Sequence, residues 1–147
     1  MSCDVTFLHV GLTVADFDRT AEFYEKYFGF KKTLDSRFNA DFFTRYKDLY
    51  ALPDGAEARF GFLEAGNGFV LEIFQFSPAR DFAPAVWNTP GYHHICLHTD
   101  DILGLCTRMK ADGVEFFFAP EPRGSADSGK YWVFLKDPDG NMIELQQ

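Results

Sequence analysis

A chain of 147 residues with a formal net charge of −8 repels nucleic acid and anionic membrane surfaces alike, so neither is an expected partner. With 46% hydrophobic and 24% charged residues, it has the composition of a soluble globular protein, long enough for one well-buried domain or two small modules sharing a core. No run approaches the roughly 18 apolar residues of a membrane-spanning helix, and the N-terminus lacks a basic-then-apolar leader, which makes the cytoplasm the expected location.

Alternation over residues 6–14 predicts a strand with Leu8, Val10, Leu12 and Val14 on one face and His9, Gly11 and Thr13 on the other. Asp16 then stands where an N-cap belongs. Phe17, Ala21, Tyr24 and Phe28 follow at helical spacing, with Gly29 as the stop. A second strand is expected over 30–36. Phe38, Phe42, Tyr46 and Tyr50 lie four apart and predict one stripe of a short helix. Strands at about 57–64 and 69–76 flank Ala65-Gly66-Asn67-Gly68, a hairpin signal.

Residues 77–92 contain Pro78, Pro84 and Pro90 and no periodicity, and read as a linker. A strand at 93–99 then leads to a cap at Asp100 or Asp101. Ile102, Leu105, Cys106 and Met109 give a helical face, and Gly113 ends it. Strands are expected at about 114–118, 130–136 and 142–146, with Asp137-Pro138-Asp139-Gly140-Asn141 as the last turn. Cys3, Cys96 and Cys106 form no C-x-x-C pair. They are expected reduced, with Cys96 and Cys106 as small buried residues of regular elements. Eighteen phenylalanines suit core, cavity walls or an aromatic subunit interface.

The two halves repeat. Superposing His9 on His94 also places Val10 on Ile95, Leu12 on Leu97, Asp16 on Asp101 and Phe17 on Ile102, all at an offset of 85. Val70-Leu71-Glu72-Ile73 closes the first half as Met142-Ile143-Glu144-Leu145 closes the second. If Leu71, Ile73, Ile143 and Leu145 face helices, then Glu72 and Glu144 leave that face, and by the same parity so do His9 and His94. His93 has the wrong parity. Carboxylates on an apolar face are costly unless compensated. Two imidazoles and two carboxylates converging in a cup would make a divalent-metal site. Core histidines and ion-paired acids are the alternative, and recurrence at equivalent positions favours the metal.

These motifs resemble the vicinal oxygen chelate superfamily, which includes glyoxalase I, methylmalonyl-CoA epimerase, bleomycin- and fosfomycin-resistance proteins and extradiol dioxygenases. The likeness rests on Phe7-Leu8-His9-Val10 with Asp16, on Phe23-Tyr24 to Phe28-Gly29-Phe30, and on Leu71-Glu72-Ile73. It continues through Gly91-Tyr92-His93-His94-Ile95 and Asp137-Pro138-Asp139-Gly140-Asn141 with Ile143-Glu144-Leu145. It implies an α+β domain over 1–147 built from two βαβββ modules, 1–76 and 93–147, joined by the linker 77–92. Their eight strands are expected to form a cupped, mostly antiparallel sheet. One divalent ion (Ni, Zn, Co or Mn) is implied, on His9, Glu72, His94 and Glu144.

Four protein ligands saturate a tetrahedral zinc, whereas an octahedral ion keeps two positions. An iron dioxygenase of the two-histidine, one-carboxylate type wants three, so oxygen chemistry is disfavoured. The resemblance then implies a lyase or isomerase similar to glyoxalase I, a lactoylglutathione lyase-like enzyme working through an enediolate. Glu144 is the expected base and Glu72 its partner. Glu72-Ile73-Phe74-Gln75-Phe76 departs from the Glu-Leu-Thr-x-Asn-Trp run common in glyoxalase I, which leaves the thiol open. A methylmalonyl-CoA epimerase-like isomerase and a metal-free drug-binding protein are the alternatives. His98, Arg123 and Lys130 are candidate contacts for a small α-carbonyl or thioester substrate, the cations lying in a Gly/Ser-rich loop at 120–130. A homodimer is expected, with the site completed in one chain or across two.

Overall fold

The computed structural model describes residues 5–147, so Cys3 lies outside it. The chain divides into two compact units, the first ending at Arg80 and the second spanning Asp81–Gln147. In the first, β1 (His9–Thr13) leads to α1 (Phe17–Phe28), β2 (Lys31–Phe38), the short helices α2 (Ala40–Arg45) and α3 (Lys47–Tyr50), β3 (Glu57–Glu64) and β4 (Val70–Ser77). In the second, β5 (His94–His98) leads to α4 (Ile102–Ala111), β6 (Glu121–Pro122), β7 (Tyr131–Lys136) and β8 (Met142–Gln146). The sheet orders are β1-β4-β3-β2 and β5-β8-β7-β6. In each, the first strand lies parallel to the last, and the remaining pairs are antiparallel.

Local chemistry explains the repeated start of each module. The Asp16 carboxylate accepts from Arg19 N at 3.0 Å, and the Asp101 carboxylate accepts from Gly104 N at 2.9 Å, each satisfying a free amide of a helix's first turn. Gly29 ends α1 at φ 68°, a left-handed conformation that glycine adopts without steric cost. A glutamine three residues beyond Glu72 and Glu144 adds a second cap in each module. Gln75 Oε1 accepts from Phe17 N at 2.9 Å, and Gln147 Oε1 accepts from Ile102 N at 3.0 Å.

Burial then follows strand parity. Leu71 and Ile73 are buried, as are their counterparts Ile143 and Leu145. Phe17, Ala21 and Tyr24 of α1 are buried in the first module, and Ile102, Leu105 and Met109 of α4 in the second. Gly61 on β3 allows the close approach of α1, since a methyl group there would meet the Phe17 ring at 2.7 Å and run into the Leu34 carbonyl.

The eight strands fall in two mixed four-stranded sheets, in keeping with the expected α+β plan. Three expectations are corrected. No strand covers 114–118: Phe116 makes one isolated bridge to Leu135, and pairing resumes as β6 at Glu121–Pro122. Pro120 and Pro122 lack the N–H that a continuous ladder needs. The Phe38-to-Tyr50 stripe belongs to a strand end and two helices, because Tyr46 leaves helical geometry at φ −112° and ψ 32°. Its rings still pack, with Phe38–Phe42 centroids at 4.0 Å and Phe42–Tyr50 at 5.8 Å. Finally, Cys106 is buried but Cys96 is exposed, because Cys96 shares the parity of His94.

Candidate functional site

The parallel pairing of first and last strands places each histidine diagonally across from a glutamate. Gly11 pairs with Glu72 and His9 with Val70; Cys96 pairs with Glu144 and His94 with Met142. By strand parity the seven side chains at these positions, Gly11 having none, lie on the face of each sheet opposite to the buried Leu71, Ile73, Ile143 and Leu145. His9 Nε2 stands 3.2 Å from Glu72 Oε2, and His94 Nε2 stands 3.2 Å from Glu144 Oε2. The first pair is the more open, with side chains 45% and 19% exposed against 27% and 13% in the second.

Each pair sits in an aromatic frame. Phe62 is the β3 partner of Glu72 and stacks on His9 at 6.3 Å; Phe134 is the β7 partner of Glu144 and meets His94 edge-on at 5.0 Å. Around the first pair the rings continue outward. Phe60 stacks with Phe74 at 6.0 Å and with Phe38 at 4.0 Å, and these half-buried rings reach α2.

The second pair is held by polar groups as well. Gln146 Nε2 donates to Glu144 Oε1 at 2.7 Å. Partial desolvation of the thiol of this otherwise exposed residue, followed by the negative charge of Glu144 and a hydrogen bond to it, pushes Cys96 up to about 11, with the Arg123 cation acting in the opposite direction. At neutral pH this thiol is therefore protonated and can donate to the carboxylate.

The secondary candidates divide. Arg123 is close enough to act electrostatically on this face, and its amide donates to the Lys130 carbonyl at 2.7 Å, closing the loop. The Lys130 residue itself is exposed. His98 Nε2 stands 3.2 Å from Asp100 Oδ1, both highly exposed, on the far side of Cys96 from His94. Among the described residues, the buried Nε2 of His93 meets no hydrogen-bond partner. Three residues near the second pair were not anticipated: Cys96, Gln146 and Trp87. Parity with His94 and Glu144 carried the signal for the first two; Trp87, in an aperiodic segment, had none.

Among the described residues, no group of three or more histidine, cysteine, aspartate or glutamate side chains stands close enough to hold an ion. Each module on its own thus presents a pair. The donor set nevertheless suits a divalent metal. Imidazole nitrogen and carboxylate oxygen are ordinary ligands of first-row ions. A nitrogen–oxygen separation of 3.2 Å is close to the edge of an octahedron with bonds of roughly 2.1 Å.

Repeated βαβββ-type modules, each carrying a His–Glu pair on the open face of its sheet, define a class of two-module α+β proteins. The pattern of the Glyoxalase/Bleomycin resistance protein/Dioxygenase superfamily matches residues 6–145, and the chain belongs to that superfamily. A probable lactoylglutathione lyase of Vibrio cholerae is 33% identical over 140 residues, covering 95% of this chain and 88% of the relative. The fold is shared with a glyoxalase family protein of Bacillus cereus, at a TM-score of 0.79 and 17% identity, over 99% of this chain and 95% of that one. It is also shared with a fosfomycin resistance protein of Mesorhizobium loti, at a TM-score of 0.62 and 20% identity, over 99% and 91% of the two chains. No helix among the described residues is long and apolar enough to cross a membrane.

Proposed function

We propose that this chain is a divalent-metal-dependent lyase or isomerase of the glyoxalase I kind. Its substrate is a small α-carbonyl compound, taken as a hemithioacetal or thioester. The observation that supports this most is the His–Glu pair repeated in both modules at the same 3.2 Å separation. His9, Glu72, His94 and Glu144 would hold the ion, the two pairs coming from one chain or from two. Bound there, the metal would polarise the substrate's carbonyl oxygen.

Glu144 is the residue we assign as base. Gln146 Nε2 fixes its Oε1 at 2.7 Å and His94 Nε2 stands beside its Oε2, so the carboxylate keeps one orientation. It takes the proton from the carbon beside the carbonyl. Returning that proton to the neighbouring carbon isomerises a hemithioacetal; delivery of a proton from the partner carboxyl Glu72 to the opposite face of the same carbon would epimerise an acyl thioester. Glu72 is its carboxylate partner on the twin strand. Arg123 supplies positive charge near this face for an anionic part of the substrate; Lys130 of the same loop is a second cation for it, and His98 a further contact. We place the protein in the cytoplasm as a homodimer, for which exposed Leu8, Phe82 and Tyr92 offer apolar surface.

Substituting Glu144→Gln should slow exchange of the substrate proton with solvent deuterium by about 10²–10⁴-fold. Metal content, measured by elemental analysis, should change far less. Exchange at the wild-type rate would remove Glu144 from the role of base. The half-buried Phe38, Phe60 and Phe74 rings favour one second reading, a small-molecule resistance protein that binds its drug on this aromatic face. Purified protein that retains no divalent metal after incubation with Ni²⁺, Zn²⁺, Co²⁺ or Mn²⁺ would select that reading.

A further inference from the structure

The two pairs differ most in a contact made by a segment outside every helix and strand. Trp87 lies in a turn closed by Thr89 N donating to the Val86 carbonyl at 2.9 Å. Its indole stacks on His93 at 5.1 Å and 17°, lies 5.5 Å from the His94 ring, and meets Phe134 edge-on at 5.6 Å. Phe134 in turn meets His94 at 5.0 Å and 72°. The His94 imidazole is thus bordered by an indole and a phenyl ring that also touch each other. His9 has Phe62 at 6.3 Å and no indole beside it among the described residues.

We propose that Trp87 is a positioning residue for His94. By filling the space beside the imidazole, it restricts rotation of the ring and keeps Nε2 turned toward Glu144. Ligand histidines are commonly oriented by a hydrogen bond from their second nitrogen. Among the described residues, Glu144 is the polar partner of His94, so the orientation falls to ring packing with preferred edge and offset geometries. The indole also stacks on His93, whose buried Nε2 meets no hydrogen-bond partner among the described residues. The lower exposure of His94 than of His9, 27% against 45%, agrees with this covering. The inference rests on the reading of His94 and Glu144 as metal ligands.

Two measurements on the full chain test it, using Trp87→Ala and Trp87→Phe. Trp87 is 58% exposed, so its removal spares the core. In metal-free protein, the ring-proton NMR signals of His94, assigned by their loss in His94→Gln, should move downfield in Trp87→Ala as the indole ring current disappears. In competition with a chromophoric chelator, Zn²⁺ affinity should fall about tenfold in Trp87→Ala, within the range for groups that orient a ligand, and recover in Trp87→Phe. Where His94→Gln weakens Zn²⁺ binding, unchanged affinity in Trp87→Ala overturns the proposal whatever the NMR result. If His94→Gln itself binds Zn²⁺ as tightly as the wild type, the metal reading of His94 fails instead. The NMR displacement then decides alone whether Trp87 orients the ring: its presence supports the proposal and its absence overturns it.

Discussion

The His9–Glu72 and His94–Glu144 pairs have the same separation but are kept by different neighbours. Glu144 faces Cys96 across the parallel pairing and accepts from Gln146; at the corresponding places Glu72 has Gly11 and Phe74. His94 is bordered by Trp87 and Phe134, His9 by Phe62. A duplicated backbone therefore repeats where the four side chains stand, while the residues around them have diverged. The second half adds a polar group that holds its carboxylate, and around the first the half-buried Phe38, Phe60 and Phe74 rings continue outward. The difference supports separate tasks, with proton transfer assigned to the second module and apolar substrate contact to the first.

The largest effect should separate the two glutamates. Glu144→Gln is expected to lose about 10²–10⁴ in proton exchange, while Glu72→Gln should act chiefly by lowering metal retention. Both are read by deuterium exchange at saturating metal. Equal loss in exchange would break the division of labour.

The cores should behave alike where the sites do not. Leu71→Ala and Ile143→Ala remove buried side chains at twin positions and should each destabilise by about 2–5 kcal/mol in denaturant unfolding. A large inequality would mean that one module carries the stability of the chain.

Gln75→Ala and Gln147→Ala take the acceptor from the first amide of α1 and α4, and each should cost about 1 kcal/mol, read in the same way.

The smallest effect concerns a network found in the first module. Arg59 hydrogen-bonds Asp18 and Asp35, with Lys32 also on Asp35; these cations hold the Asp35 carboxyl well below the usual carboxylate range. A depressed carboxyl contributes stability that is present above its ordinary value near 4 and lost as pH falls through the folded value. Arg59→Ala should therefore flatten the loss of stability below about pH 4. The Asp35 contribution should amount to about 1 kcal/mol or less, since solvent screens such partly exposed pairs.

Much of the candidate site's geometry was legible because strand parity is local. The alternation that turns Leu71, Ile73, Ile143 and Leu145 toward the helices also turns Glu72, Glu144, His9 and His94 away from them, and the structure places each histidine beside its glutamate. That parity also exposes Cys96, so its expected burial contradicted a signal already present. Caps at Asp16 and at Asp100 or Asp101 were readable for a related reason, since a short acidic side chain reaches the amide three residues on, and the structure uses Asp101 for the second.

What the sequence determined by itself was the duplicated plan, the strand faces and the identity of the paired residues. These follow from periods of two and 3.6 residues and from a fixed offset between the halves. Tertiary structure alone decided that the strands form two sheets, that Gln75 and Gln147 cap helices dozens of residues away, and that Trp87 settles on His94. The physical reason is range. Contacts between distant or aperiodic segments depend on which surfaces remain uncovered once the local elements have formed, and no local pattern encodes that.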